Sequence, residues 1–142
     1  MSWVATTGGI DGNLVRDLMV EAIEARFGAA GPPDAVEWLT DNGSPYVAGE
    51  TRRFARQIGL VPLTTAINSP QSNGMAESFV KTFRRDYVAR MDRSDAATVL
   101  RQLSAAFEHY NEVHPHSALK MLSPRMFRRR AVELRLAACP EM

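Results

Sequence analysis

The stretch AVEWLTDNGSPY at residues 35–46 decides the fold of this chain. Residues 36–39 form a short apolar run of strand length, and the turn-forming sequence TDNG at 40–43 follows it directly. Open α/β sheets bind their ligands at the carboxyl ends of their strands. The stretch therefore predicts a buried strand that places Asp41 at a ligand-binding edge of a sheet.

Helices and strands alternate along the sequence around this strand. Asp11 is in a position to cap a helix that ends near Phe27, because the apolar residues between them recur at intervals of three and four. Alternation of helices and strands is typical of an α/β domain whose sheet is covered on its faces. Further strands are predicted at residues 3–7 and 60–64, and further helices at 49–58, 73–91 and 94–113.

Composition limits the classes of protein to which the chain can belong. Of its 142 residues, 45% are hydrophobic and 23% are charged, which is ordinary for a globular domain. No apolar run approaches the length of a membrane span, no signal peptide is recognisable, and the single Cys139 excludes a disulfide framework within one chain. We therefore expect a protein of a reducing, cytoplasmic compartment.

The charged residues are distributed unevenly along the chain. Residues 1–74 contain five Lys or Arg against eight Asp or Glu, whereas residues 75–142 contain twelve against eight. A basic C-terminal half is a mild indication of nucleic-acid binding, although many solvated helices have the same composition.

A second acidic residue, Glu77, lies early in the predicted helix at 73–91, after a polar loop at 65–74. Thirty-five residues separate it from Asp41. Spacing alone favours structural roles, in which Asp41 caps a turn and Glu77 interacts with the positive end of the helix dipole. The buried side of this helix is expected to consist of Ala76, Phe79, Val80, Phe83 and Tyr87.

Longer motifs around the two acidic residues resemble a known family. They are DNGSPY at 41–46, SPQSNGMAESFVKTFRRDY at 69–87, HYNEVHPHSAL at 109–119 and SPRMF at 123–127. All of them resemble the OrfB transposases of bacterial insertion sequences in the IS-three group, which have the retroviral integrase catalytic core, a ribonuclease-H-like α/β fold. The resemblance covers essentially the whole chain, including WVATTGG at 3–9.

The resemblance implies a catalytic role for the two acidic residues. The family uses an Asp-Asp-Glu triad, in which Asp41 corresponds to the second acid and Glu77 to the third. Their carboxylates would bind Mg²⁺ or Mn²⁺, since these ions prefer oxygen ligands. Two such ions about 3.5–4 Å apart support the in-line displacement at phosphorus by which a DNA strand is cut and transferred.

The resemblance also implies DNA as the partner, both as element ends and as target, together with further copies of the chain or an intact transposase. Lys81 and Arg84 follow Glu77 on the same helical face, where an ordinary surface Glu–Lys pair is the alternative interpretation. Asn73 is expected to cap this helix, and Gly74 to allow close approach of a ligand. The predicted DNA-binding residues are Asn73, Gly74, Lys81, Arg84 and Arg85.

The first aspartate of the family has no counterpart in this sequence. In the family it lies in the first strand, upstream of anything that matches Trp3, while Asp11 and Asp17 fall in the helix that follows the third strand. The resemblance thus implies a truncated core at about residues 1–91 and a helical extension at 92–142. The family's strand order 3-2-1-4-5 would leave strands such as 36–39 with an unpaired edge and an uncovered apolar face.

Three functions remain open at the level of the sequence. The first is a fragment of a bacterial DNA transposase that acts at the nucleoid and is inactive alone. The second is a non-catalytic remnant that binds DNA or dimerises with an intact transposase, and the third is a ribonuclease-H-like nuclease. For His109, His114 and His116 we favour a structural role, because the sequence provides no cysteine ligands near them. A metal site is the alternative.

Overall fold

The computed structural model describes residues 1–65 and 74–138. The chain divides into two compact units, Ser2–Phe83 and the residues from Arg84 onward. Within the described ranges, no helix has both the length and the apolar character needed to cross a membrane.

Helix α1 (Gly12–Phe27) forms as the sequence predicts. The Asp11 side chain accepts a hydrogen bond from the backbone N–H of Leu14 at 2.8 Å, which satisfies a donor that the first turn of a helix leaves unpaired. Gly28 ends the helix with a φ of 75°, a conformation that favours glycine. The buried face of α1 consists of Val15, Met19 and Ile23.

Strands β1 (Val36–Thr40) and β2 (Leu60–Thr64) pair in parallel, in a register that runs from Val36 opposite Leu60 to Thr40 opposite Thr64. Both predicted strands are confirmed. Two helices connect them, α2 (Ser44–Val47) and α3 (Gly49–Gln57). Helix α3 was predicted, whereas the single turn of α2 was not, because the sequence there reads as an irregular turn.

One face of the two-stranded sheet packs on the core and the other does not. Leu60 belongs to a buried cluster with Val15, Met19, Ile23 and Ala55, and Trp38 packs against this cluster. The alternate positions on the opposite face remain open, with exposed fractions of 52% for Leu39, 41% for Val61 and 38% for Leu63. An uncovered apolar face of this kind agrees with the expectation from the sequence.

The strand predicted at residues 3–7 is wrong, because that segment is irregular. A strand requires a hydrogen-bonded neighbour, and within the described residues β1 and β2 pair only with each other. Val4 and Ile10 instead line a small cavity of about 90 Å³ together with Leu18 and Trp38.

Helix α4 (Gly74–Asp86) is shorter than the predicted helix at 73–91. It ends because Tyr87 leaves the helical conformation, with φ −120° and ψ −63°, and a short 3-10 turn follows at Val88–Arg90. Of the predicted buried side, Phe83 is buried and Phe79 is half-buried, but Ala76 and Val80 are exposed. Helical periodicity identifies positions that share a face, and it does not say whether anything covers that face.

The second unit contains α5 (Ala96–Glu112) and α6 (Pro124–Ala138). The Asp95 side chain caps α5 by accepting from the backbone N–H of Thr98 at 2.8 Å. Arg125 of α6 forms ion pairs with Glu108, at 3.1 Å, and with Glu112 of α5. These two helices therefore pack together within the unit, and the buried residues of α5 are Ala106 and Tyr110.

Candidate metal and DNA site

Asp41 lies directly after the last residue of β1, and its side chain is exposed. Its Oδ1 accepts a hydrogen bond from the backbone N–H of Gly43 at 2.8 Å. The predicted position of Asp41 at the carboxyl end of a strand is confirmed.

Two hydrogen bonds join the carboxyl ends of β1 and β2 beside Asp41. The backbone N–H of Thr65 donates to the carbonyl oxygen of Thr40 at 2.9 Å. The side-chain amide of Asn42 donates to the carbonyl oxygen of Thr65 at 2.8 Å. The residues on either side of Asp41 are thus both bonded to the first residue after β2.

Glu77 lies in the first turn of α4 and is exposed. An acidic side chain in that position interacts favourably with the helix dipole. Residues 66–73, which connect β2 to α4, lie outside the described residues, and the predicted cap Asn73 lies among them. Capping by Asn73 and the proximity of Asp41 to Glu77 stay predictions.

The basic side chains predicted to contact DNA are exposed on α4. Lys81 and Arg84 form no ion pair within the described parts of the chain. Arg85 donates to both carboxylate oxygens of Asp86, with Nε–Oδ1 at 2.6 Å and Nη2–Oδ2 at 2.8 Å. This hydrogen-bonded pair raises the pKa of the Arg85 guanidinium and lowers the pKa of the Asp86 carboxyl. Lys81 and Arg84 are therefore the more available cations for a phosphate.

Gly74 begins α4, and a Cβ at this position would meet no atom within 4 Å. The access of a ligand to the backbone at Gly74 stays a prediction.

The donor chemistry of Asp41 and Glu77 fits a hard divalent cation. Both are exposed carboxylates, and an ionised carboxylate offers about four acceptor positions on its two oxygens. The hydrogen bond from Gly43 therefore leaves Asp41 able to bind a metal ion. Groups of three or more His, Cys, Asp or Glu side chains that could hold an ion are absent from residues 1–65 and 74–138.

The three histidines form a cluster with two tyrosines in the second unit. The Tyr110 ring stacks on His114 with ring centroids 5.2 Å apart, and it meets the edge of His116 at 4.8 Å. The Tyr87 hydroxyl approaches ring nitrogens of His109 and His114. Packing of this kind supports the structural role. The contacts of Tyr87 have no local signal in the sequence, because this residue follows α4 and lies 22 positions before His109.

The chain matches the integrase core domain family over residues 59–124. It is 56% identical over 129 residues to the transposase InsD of insertion element IS2A/D/F/H/I/K from Escherichia coli, covering 91% of this chain and 43% of that protein. The InsD protein of insertion element IS2E from E. coli K12 is also 56% identical over 129 residues, with 91% and 59% covered. The chain thus spans about half the length of the curated relatives that it matches.

Solved integrase structures share the fold. The catalytic core domain of BIV integrase superposes with a TM-score of 0.66 at 18% identity, covering 92% of this chain and 79% of that one. A chain of the simian T-cell lymphotropic virus intasome in complex with PP2A regulatory subunit B56 gamma gives a TM-score of 0.58 at 20% identity, with 76% of this chain and 37% of that chain covered. The fold is therefore the ribonuclease-H-like fold of retroviral integrase cores. The integrase core domain match and the identity to the InsD proteins make the chain similar to the integrase-core transposases of OrfB type.

Proposed function

We propose that the chain is part of a bacterial DNA transposase that cuts and transfers DNA strands with divalent metal ions bound by Asp41 and Glu77. One observation carries the proposal most directly. Asp41 is exposed at the carboxyl end of a parallel strand, and its carboxylate is held by a backbone N–H, in a chain whose relatives are transposases.

Each of the two acids has a defined task in this proposal. Asp41 and Glu77 provide oxygen ligands, which suit Mg²⁺ or Mn²⁺. When bound, such ions activate the attacking oxygen and stabilise the leaving oxygen of an in-line displacement at phosphorus. The negative charge of both side chains is then balanced by the ions instead of repelling the DNA backbone.

The DNA would be held by α4. Lys81 and Arg84 are exposed and interact with phosphates, while Arg85 contributes once its pair with Asp86 opens. Gly74 leaves space for the backbone of a nucleotide, and Asn73 completes the predicted contact set. Element ends and target DNA in the bacterial cytoplasm are the proposed substrates, with further copies of the chain or an intact transposase as partners.

We infer that residues 1–142 bind DNA weakly without joining it. Lys81, Arg84 and the basic second half provide the phosphate contacts. The first aspartate of the family's triad, however, has no counterpart in this sequence, so the ions would lack one of their ligands. The division into a core at about 1–91 and a helical extension at 92–142 stays part of the same proposal.

A second candidate is a non-catalytic protein that dimerises with an intact transposase or binds DNA. The exposed apolar side chains of Leu39, Val61 and Leu63 favour it, because a contiguous apolar face on a sheet often marks a contact with another chain.

The test is Mn²⁺ binding by the full chain, measured from the electron paramagnetic resonance signal of the free ion. Asp41→Asn and Glu77→Gln are each expected to weaken binding by at least tenfold, while Glu21→Gln, an exposed acid of α1, leaves it unchanged. Equal affinity in all four chains would contradict the metal site. A strand-transfer assay with Mn²⁺ runs beside it, and joining that disappears in Glu77→Gln would contradict the proposed inactivity.

A further inference from the structure

We propose that Asn42 and Gly43 are positioning residues for the Asp41 carboxylate. Gly43 sets the direction of the carboxylate, and Asn42 fixes the turn that contains Asp41 to the end of β2. The inference rests on the proposed function, since it concerns how the metal ligand Asp41 is held. Neither residue is proposed to touch the metal ion or the DNA.

Gly43 is required for space and not for its backbone conformation. Its φ of −58° and ψ of 140° are available to any amino acid. A Cβ added at this position would lie 2.9 Å from Oδ1 of Asp41 and 3.2 Å from Cδ2 of Tyr46. The first distance is too short for a contact between carbon and oxygen, so one of the two groups must move.

The group that moves is the Asp41 carboxylate. The Tyr46 ring stands close to the same Cβ position, and it is packed against the hydrophobic core. The exposed carboxylate is the end of a flexible side chain, and its rotation costs the fold little. A methyl group at position 43 would therefore redirect the carboxylate and weaken its hydrogen bond to the Gly43 N–H, while leaving the fold intact.

Asn42 restrains the backbone on the other side of the carboxylate. The ladder between β1 and β2 ends at the pair Thr40–Thr64, and the next backbone bond runs from the Thr65 N–H to Thr40. The Asn42 amide then reaches the Thr65 carbonyl at 2.8 Å, so that a side chain continues the connection between the strands. Asp41 lies between two residues that are each bonded to Thr65, which limits the rotation of its own backbone.

Thr65, which receives and donates the two bonds beside Asp41, is itself held in place. It is a buried residue, 9% exposed, and it is the last described residue before the segment that leads to Glu77. The bonds to Thr65 thus fix the position of the residue that follows β2 with respect to Asp41. Groups that hold a metal ligand in place typically contribute about 10–100-fold to metal affinity.

The experiment compares Mn²⁺ affinity with thermal stability in six chains of residues 1–142, namely the unchanged chain, Asp41→Asn and four further variants. Gly43→Ala and Asn42→Ala are expected to bind Mn²⁺ about tenfold more weakly than the unchanged chain. Gly49→Ala is the control for the first, because a Cβ at position 49 would meet no atom within 4 Å. Asn111→Ala is the control for the second, because its amide also donates to a backbone carbonyl, that of Phe107 at 2.9 Å, within the other unit. Both controls are expected to keep the Mn²⁺ affinity within twofold.

Comparison with Asp41→Asn separates the two proposals. If Asp41→Asn abolishes binding while Gly43→Ala and Asn42→Ala bind as the unchanged chain does, the positioning role is wrong and the metal site stands. If Asp41→Asn leaves the affinity unchanged, both are overturned. An Asn42→Ala chain that does not fold would show a purely structural role for Asn42, and Gly43→Ala would still decide how the carboxylate is directed.

Discussion

The hydroxyl of Tyr87 lies 2.8 Å from Nδ1 of His109 and 3.3 Å from Nδ1 of His114. One phenol therefore connects a histidine of α5 with a histidine of the loop that follows it. On its far side, His114 approaches Asp86 with Nε2–Oδ2 at 3.9 Å. The cluster ties the end of α4 to the end of α5 within the second unit.

His116 makes the stability of this cluster dependent on pH. Its Nε2 is buried with no hydrogen-bond partner among the described residues, and burial together with the neighbouring His114 lowers the pKa of His116 below its ordinary 6.5. The unfolded chain thus binds a proton more readily than the folded chain, and folding stability falls as the pH falls from about 6.5 through the lowered pKa of His116. Thermal unfolding between pH 8 and pH 5 is expected to show a decreasing Tm.

His116→Asn tests the assignment, because asparagine is polar and does not titrate. We expect a lower Tm at pH 8 and a smaller slope of Tm between pH 7 and pH 5. An unchanged slope would show that His116 is not the source of the pH dependence.

Protonation of Asp95 is expected to cause a further loss of folding stability at lower pH. Hydrogen bonds from the backbone N–H and the hydroxyl of Thr98 lower the pKa of the Asp95 carboxyl below its ordinary 3.8. Its contribution to stability is present above that value and is lost as the pH falls through the lowered pKa. Asp95→Asn keeps a good helix cap without a charge. Circular dichroism below pH 4 should therefore show less loss of helix in Asp95→Asn than in the unchanged chain, and equal losses would argue against the cap as the cause.

Two methionines offer a direct test of the core. Met19 is 1% exposed within the buried cluster around α1, whereas Met75 is 83% exposed. Met19→Ala removes buried methylene groups and leaves a cavity, so it should lower the free energy of unfolding by about 2–5 kcal/mol. Met75→Ala is the matched control and should change it by no more than about 0.5 kcal/mol. Urea denaturation measures both, and a similar effect of the two substitutions would contradict the described core.

Salt-dependent binding tests the role of α4 in DNA contact. Lys81→Ala and Arg84→Ala should each weaken binding to duplex DNA and reduce the slope of log K against log salt by about 0.9, as expected for one lost phosphate contact. Arg85→Ala should have a smaller effect, because Asp86 already engages that guanidinium. Glu77→Gln should not weaken binding. Gel-shift titrations at several salt concentrations give these slopes, and a slope unaffected by Lys81→Ala or Arg84→Ala would place the DNA elsewhere.

The sequence predicted the elements whose signals are local. The Asp11 cap, the apolar spacing of α1 and the short runs of β1 and β2 are each legible within a few residues, and the structure confirms them. The prediction of a strand at 3–7 is wrong, because apolar composition does not supply a hydrogen-bonded neighbour. The bond from Asn42 to Thr65 joins residues 23 positions apart, and the approach of Tyr87 to His109 joins residues 22 positions apart, so neither has a local signal.

Pro62 limits the edge at which the two-stranded sheet can pair with a further strand. The N–H of Thr65 points from β2 toward β1, so the N–H groups of Leu63 and Val61 do the same, since successive residues of a strand alternate. The position of Pro62 falls on the outer edge, where proline has no N–H to offer. On β1, the N–H groups of Glu37 and Leu39 point outward by the same alternation. A further strand from any source would therefore be received on the β1 side, and β2 forms a natural border of the sheet.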